Sequence, residues 1–209
     1  TWGSILCPSA YTGSTGFRPT YGRVSRHGGM ALAPSMDKIG PMARSAEDCG
    51  LVLELIAGHD PADGASLPEA DALFHAASAT PVSSARPLRI GWLTNQWSKL
   101  DPEIEVAMDA ARAELQNTGC TVQDVALPEG PWEAAAGLVI SVEAAAAYQE
   151  IIESGRVSLL VDDLGKIGGY INEAIPASDY VRALRIRAVL QRRIDVLFDE
   201  VDLLMTATL

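Results

Sequence analysis

Basic residues are scarce in this 209-residue chain: 16 lysines and arginines stand against 27 aspartates and glutamates, a formal net charge of −11. Such a balance repels a phosphate backbone, which excludes nucleic acid as a direct partner and disfavours an anionic membrane surface. Long apolar runs are also missing. Nothing approaches the roughly 18 uninterrupted apolar residues that cross a bilayer, because Glu143 interrupts the alanine-rich stretch 134–147. Cysteine is rare and odd in number: Cys7, Cys49 and Cys120 share no C-x-x-C spacing. That suggests neither a disulfide framework nor a zinc site, and it points to a reducing, cytoplasmic setting. No internal repeat is visible. What remains is the composition of a folded domain, 48% hydrophobic and 21% charged, of a size that allows one sizeable core.

The order of elements follows from periodicity and breakers. Pro8–Thr12 can open a short helix that Gly13 stops. Residues 14–18 read as a short buried strand, 19–29 as a loop, and 35–43 as a strand and turn. Ser45 caps a helix running to about Ala57, so uniformly apolar that it should be deeply buried. A surface loop over 60–66 precedes a short helix over 70–77, and the Ser, Ala and Pro content of 78–86 marks a surface linker. From Pro87 strands and helices alternate. Leu88–Leu93 is a strand, Asp101-Pro102 caps a helix with Ile104, Ala107, Met108, Ala111 and Leu115 on one face, and Cys120–Leu127 is the next strand. Leu88–Leu93 and Leu203–Thr206 are both expected to be central strands. Residues 131–154 form one alanine-rich helix with Glu143 facing either solvent, the favoured reading, or the substrate channel, and 165–174 form a mobile segment or short helix. A last helix from Ser178 carries Ala183, Ile186, Leu190, Ile194 and Leu197 on a stripe, with Arg182, Arg185, Arg192 and Arg193 solvated or ion-paired beside it. This βαβ pattern favours an α/β fold, a sheet covered by helices.

Chemistry centres on Gly3-Ser4. A serine directly after glycine lies on a thin stretch of backbone, where a substrate carbonyl can reach the hydroxyl and neighbouring N–H groups together. The pair alone also fits an ordinary turn serine. The loop around Ser4 leads into the helix at Pro8, and its N–H groups offer positive potential to an oxyanion. Arg18, Arg23, Arg26 and His27 cluster nearby and are expected to anchor backbone carbonyls and carboxylates more than a ligand anion. A Cys7 nucleophile with His27 as base is set against an inert buried thiol. His27, His59 and His75 are each candidate bases for a Ser-His-Asp arrangement, but Ser4 lacks the G-x-S-x-G elbow, and His59-Asp60-Pro61 reads as a self-bonded turn.

Four blocks in order, Thr1-x-Gly3-Ser4-Ile5-x-x-Pro8, Gly16-Phe17-Arg18-Pro19-Thr20-Tyr21-Gly22-Arg23, Asp37-Lys38-Ile39-Gly40-Pro41-Met42 and Ala57-Gly58-His59-Asp60-Pro61, resemble the amidase signature family. The resemblance is strong over residues 1–64 and weaker, mainly in element order, beyond. It implies an α/β fold with a mixed β-sheet flanked by helices, and amide hydrolysis through a Ser-Ser-Lys triad and an acyl-enzyme, with no metal and no organic cofactor. Ser4 falls on the nucleophile, and the backbone N–H groups of Thr1, Trp2, Gly3 and Ser4 on the oxyanion hole. Trp2 stands where many members have glycine, and Leu6-Cys7 where many have arginine, which makes Trp2 and Cys7 candidate substrate-pocket residues.

In the family the catalytic lysine and bridging serine precede the nucleophile. Lys38, Lys99 and Lys166 sit in other contexts. Residues 1–209 are therefore expected to be the C-terminal portion of a single amidase-signature domain, incomplete, inactive by itself and prone to self-association. The implied partner is a small-molecule amide. One alternative is a glutaminase-type subunit of a tRNA-dependent amidotransferase, acting with partner subunits, and another is a non-catalytic binding or scaffold domain.

Overall fold

The computed structural model describes residues 2–75 and 87–208. Thr1 and the expected linker 78–86 lie outside the described residues. The chain divides into two compact units, one of Thr1–Ala79 with Glu133–Arg185 and one of Thr80–Trp132 with Ile186–Leu209.

In the first unit, α1 (Leu6–Thr12) ends at Gly13, whose φ of 65° is the left-handed conformation that glycine adopts without strain. β1 (Thr15–Gly16) pairs antiparallel with β2 (Met42–Ala43), Thr15 opposite Ala43. α2 (Ala46–Ile56) starts at Ser45, whose hydroxyl accepts from Asp48 N–H at 3.0 Å. α2 is not deeply buried. Cys49 and Leu53 are covered, while Leu51 is 58% and Leu55 85% exposed. An apolar sequence without periodicity cannot say how many faces find a neighbour, and among the described residues only one face does. α3 (Glu69–Ala72) is shorter than the helix expected there.

The expected single alanine-rich helix is two, α5 (Trp132–Ala147) and α6 (Gln149–Glu153), while α4 (Pro102–Asn117) belongs to the second unit. Tyr148, at φ −110° and ψ 15°, breaks the helical course between them. A 3₁₀ turn (Arg156–Leu159) leads to α7 (Asp163–Glu173), whose N-cap Asp162 accepts from Leu164 and Gly165 N–H. α8 (Ala177–Glu200) follows.

The second unit is a three-stranded parallel sheet in the order β4-β3-β5, from β3 (Arg89–Leu93), β4 (Thr121–Val125) and β5 (Leu203–Met205). β3 is central as expected, but β5 is an edge strand among the described residues, with Leu203 49% exposed. A short apolar run marks a buried strand without fixing which neighbours it has. α4 (Pro102–Asn117) connects β3 to β4, capped by Asp101. Its half-buried residues include Ile104, Met108, Ala111 and Leu115, whereas Ala107 is exposed. On α8 the stripe holds: Ala183 and Leu190 are buried, and Ile186, Ile194 and Leu197 half-buried. Its arginines behave as a surface set, Arg182 pairing with Asp179 at 3.1 Å and Arg193 donating to the Glu129 carbonyl at 2.8 Å. Parallel and antiparallel pairings with flanking helices make the chain an α/β protein. Among the described residues no helix is long and apolar enough to cross a membrane.

Candidate active site

The segment carrying Ser4 is held from several sides. The Gly3 carbonyl accepts from Cys7 N–H at 2.7 Å, and the Ile5 carbonyl accepts from Ser9 N–H at 3.2 Å and from the Ser9 hydroxyl at 2.8 Å. Behind it lies Gly16 in β1. A Cβ there would stand 2.3 Å from Ser9 Oγ and 2.9 Å from Ile5 Cγ2, so only glycine lets the strand come this close. In front, Arg18 Nη1 donates to the Trp2 carbonyl at 2.6 Å. Ser4 itself is exposed. Its hydroxyl has no hydrogen-bond partner among the described residues, and the N–H groups of Gly3 and Ser4 donate to none of them.

Ser4 opens on a cavity of about 460 Å³ whose wall also includes Arg26, His27, Met30, Lys38 and Asp63. The loop forming the far wall is pinned through its backbone. Asp37 Oδ2 accepts from Leu32 N–H at 2.8 Å and Ala33 N–H at 2.9 Å, and the Tyr21 hydroxyl donates to the Pro34 carbonyl at 2.7 Å. Arg26 is the hub of the polar side. Its guanidinium donates to the Pro34 carbonyl, lies 4.7 Å from the Tyr21 ring centroid and forks onto Asp63. The Asp63 carboxylate sits well below the usual carboxylate range, first because of the Arg26 side chain and then because the backbone N–H groups of Arg26 and Ala65 donate to it. Asp60 is also lowered, mainly by the Ser25 hydroxyl at 2.5 Å and then by Ala62 N–H. Lys38, a lysine on the cavity wall, donates from Nζ to the Met36 carbonyl at 2.5 Å and lies 5.9 Å from the Tyr21 ring.

The arginine cluster anchors backbone and carboxylate, as the sequence suggests: Arg23 Nη1 donates to the Leu73 carbonyl at 2.9 Å, beside the bonds of Arg18 and Arg26. Of the three histidines, His27 shares the cavity with Ser4, while His59 Nδ1 is 2.9 Å from the Leu67 carbonyl and His75 Nδ1 3.4 Å from Glu54. Trp2, 43% exposed, and Cys7, half-buried, are not among the residues lining the cavity. All three cysteines are free thiols, Cys49 buried with its Sγ 3.3 Å from the Thr15 carbonyl. Among the described residues no group of three or more His, Cys, Asp or Glu is placed to hold a metal ion.

Glu143 corrects its expected exposure. It is half-buried, and its carboxylate accepts from Ser35 N–H at 2.9 Å, the Ser35 hydroxyl at 2.6 Å and the Tyr180 hydroxyl at 3.0 Å. The small alanines around it let the Ser35 loop approach α5, and a carboxylate drawn out of water there needs donors. The pairing of Asp63 with Arg26, the bond of Tyr21 to the Pro34 carbonyl and the anchoring of Ser35 by Glu143 are the features that reading the sequence missed. The one local signal was a lone carboxylate in an alanine-rich helix.

Comparison with known proteins follows the same line. A profile of the amidase family matches residues 1–209. The glutamyl-tRNA(Gln) amidotransferase A subunit of Deinococcus radiodurans is 34% identical over 230 residues, covering 100% of this chain and 47% of that protein. That of Cupriavidus metallidurans is 44% identical over 140 residues, covering 62% of this chain and 28% of the relative. The chain spans about half the length of the curated relatives it matches. Among solved structures, an inhibitor-bound complex bearing on the origins of an s-triazine catabolic enzyme superposes with a TM-score of 0.82 at 25% identity, over 95% of this chain and 42% of that one. A bacterial aryl acylamidase of the amidase signature family superposes at 0.76 and 22% identity, over 96% and 42% of the two chains. The latter likeness is one of fold.

Proposed function

The chain belongs to the amidase family, and from that premise we propose that it forms the nucleophile-bearing part of a cytoplasmic enzyme that cleaves a carboxylic amide through Ser4. The observation that carries this reading is the exposed Ser4 hydroxyl on a cavity wall, next to Gly3 and Ser4 N–H groups that no described residue engages. Ser4 Oγ attacks the amide carbonyl carbon and gives up its proton to a base. The carbonyl oxygen takes the negative charge and is met by the backbone N–H groups of Thr1, Trp2, Gly3 and Ser4. The C–N bond then breaks as the nitrogen is protonated, and ammonia or an amine leaves. Water attacks the remaining ester and releases the acid.

In this reading the base is a lysine kept neutral by burial, acting through a bridging serine, both supplied from outside residues 1–209. Lys38 already serves the Met36 carbonyl. Residues 1–209 alone are accordingly expected to show no turnover above background. Trp2 and Cys7 would shape the entrance to the site, and association with further copies would cover apolar faces such as that of α2.

The test is Ser4→Ala in the intact protein, assayed on a panel of amides. Turnover should fall by on the order of 10³ or more, with stability changed by about 1 kcal/mol or less. Retained turnover would mean that another group is the nucleophile, and a variant that unfolds would make Ser4 a structural serine; either overturns the assignment. A second reading, the glutaminase component of an amidotransferase, is favoured by the likeness to the amidotransferase relatives along the whole chain. It requires ammonia from glutamine only when the partner proteins are present.

A further inference from the structure

The first unit holds a second cavity, of about 450 Å³, and its wall differs in kind from that of the Ser4 cleft. Ile151, Ile152, Val157 and Leu160 line it together with Tyr148, and no charged side chain does. Several of these belong to the packed apolar cluster of Ala145, Ile152 and Val157, with Tyr148 and Ile151 against it. The Tyr148 hydroxyl and the Asn172 amide are the polar side-chain groups on the wall. Met30 lines this cavity and the Ser4 cleft alike, so the two are neighbours across one flexible thioether side chain.

We propose that this second cavity receives the apolar end of the amide substrate, so that the substrate class is an amide bearing an aryl or medium-length alkyl group. The proposal rests on the reading of Ser4 as nucleophile. Its volume falls within the range of about 300–1,000 Å³ found for ligand pockets, and an apolar wall with few polar groups is what such pockets present. A phenyl or alkyl group gains by leaving water there. The ammonium and carboxylate of a free amino acid would instead lose hydration against a wall that offers one hydroxyl and one amide. Glutamine is therefore the wrong shape of charge for this space, which separates the inference from the amidotransferase reading.

Gly168 gives a clean way to test it. A Cβ added to Gly168, which lines the cavity, meets nothing within 4 Å, whereas one on Gly169 would stand 2.8 Å from Ile152 Cγ1. Gly168→Leu is therefore the substitution chosen to narrow the cavity, with circular dichroism and thermal unfolding of the variant checking that α7 keeps its packing. In the intact protein, hydrocinnamamide should be hydrolysed with a kcat/KM about tenfold or more above acetamide, since each methylene seated in an apolar pocket counts severalfold. Gly168→Leu should raise the KM for hydrocinnamamide about tenfold and leave acetamide within about twofold. Equal effects on both amides, or glutamine turned over faster than hydrocinnamamide, would overturn the proposal. Binding of hydrocinnamamide to the Ser4→Ala protein by calorimetry judges the cavity without turnover. Weakening when Gly168→Leu is added supports the assignment and unchanged affinity overturns it. Hydrolysis that survives Ser4→Ala would count against the nucleophile alone.

Discussion

Asp63→Asn is the substitution whose outcome the structure constrains most tightly. The Asp63 side chain is 8% exposed and that of Arg26 17%. The carboxylate accepts from Arg26 N–H at 2.9 Å, Nε at 3.1 Å and Nη2 at 3.0 Å, and from Ala65 N–H at 3.0 Å. An amide in its place keeps one acceptor oxygen and turns an NH2 group toward a guanidinium. Breaking a buried ion pair from one side commonly costs about 3–5 kcal/mol. Here Arg26 keeps the Pro34 carbonyl and the Tyr21 ring, so a loss of about 2–3 kcal/mol is expected at neutral pH.

The pH dependence carries the sign. Asp63 is held below its unfolded value, so its contribution is fully present above about pH 4 and fades as the pH falls through the folded value. At pH 3 the unfolded carboxyl is already largely protonated, and the contribution should have dropped by about 1 kcal/mol. Urea unfolding of the intact protein and the variant at pH 7 and pH 3 measures both numbers. A loss below about 0.5 kcal/mol at pH 7, or a difference that does not shrink at pH 3, would refute the claim that this ion pair clasps the loop.

Three further outcomes follow from the supports of the cleft. Gly16→Ala forces Cβ against Ser9 Oγ and Ile5 and should cost about 1–3 kcal/mol in thermal unfolding, with amide turnover falling further than stability alone explains. Arg18→Ala removes the bond to the Trp2 carbonyl. A stability loss of about 1 kcal/mol should accompany a drop in kcat of about tenfold or more, and an unchanged kcat would mean the bond does not position Ser4. Glu143→Ala deletes the acceptor of three hydrogen bonds from Ser35 and Tyr180 and should destabilise by about 1–3 kcal/mol, read by differential scanning calorimetry. A neutral result would return Glu143 to the solvent.

Where the sequence was legible, the cause of structure lay within a few residues. Ser45 capping the Asp48 N–H needs only a hydroxyl three positions earlier, and the stripes of α4 and α8 need only the 3.6-residue period. Where reading failed, the cause was distant. α2 carries apolar residues around most of its circumference, with Glu47, Asp48 and Glu54 its charged ones, so the pattern did not tell the covered Leu53 from the exposed Leu55. β5 reads the same whether one strand or two lie beside it. Glu143 meets Ser35 across 108 residues, and Arg26 meets Asp63 across 37, separations at which composition carries no information. Ser4 stands out in the sequence only because four short blocks in order resemble a family; Gly-Ser alone reads as an ordinary turn.

That contrast has a physical root in how the cleft is made. Ser4 and the loop facing it lie outside helices and strands, and a loop has no internal ladder to fix it, so its backbone polar groups must be satisfied by side chains from elsewhere. Arg18 supplies this for the Ser4 segment, Glu143, Tyr21 and Asp37 for the opposite wall, and the Arg26–Asp63 pair joins that wall to the loop beyond it. Each tie costs the side chain its rotamer freedom and is worth only about 1 kcal/mol or a few, too little to build a core but enough to hold a backbone within the fraction of an ångström that attack on a carbonyl requires. Variants of these residues should therefore separate by readout. Loss of Arg18 acts on rate more than on unfolding, because the bond it makes ends on the residue two positions before Ser4. Loss of Asp63 acts on unfolding more than on rate, because its bonds end on the far side of the cavity.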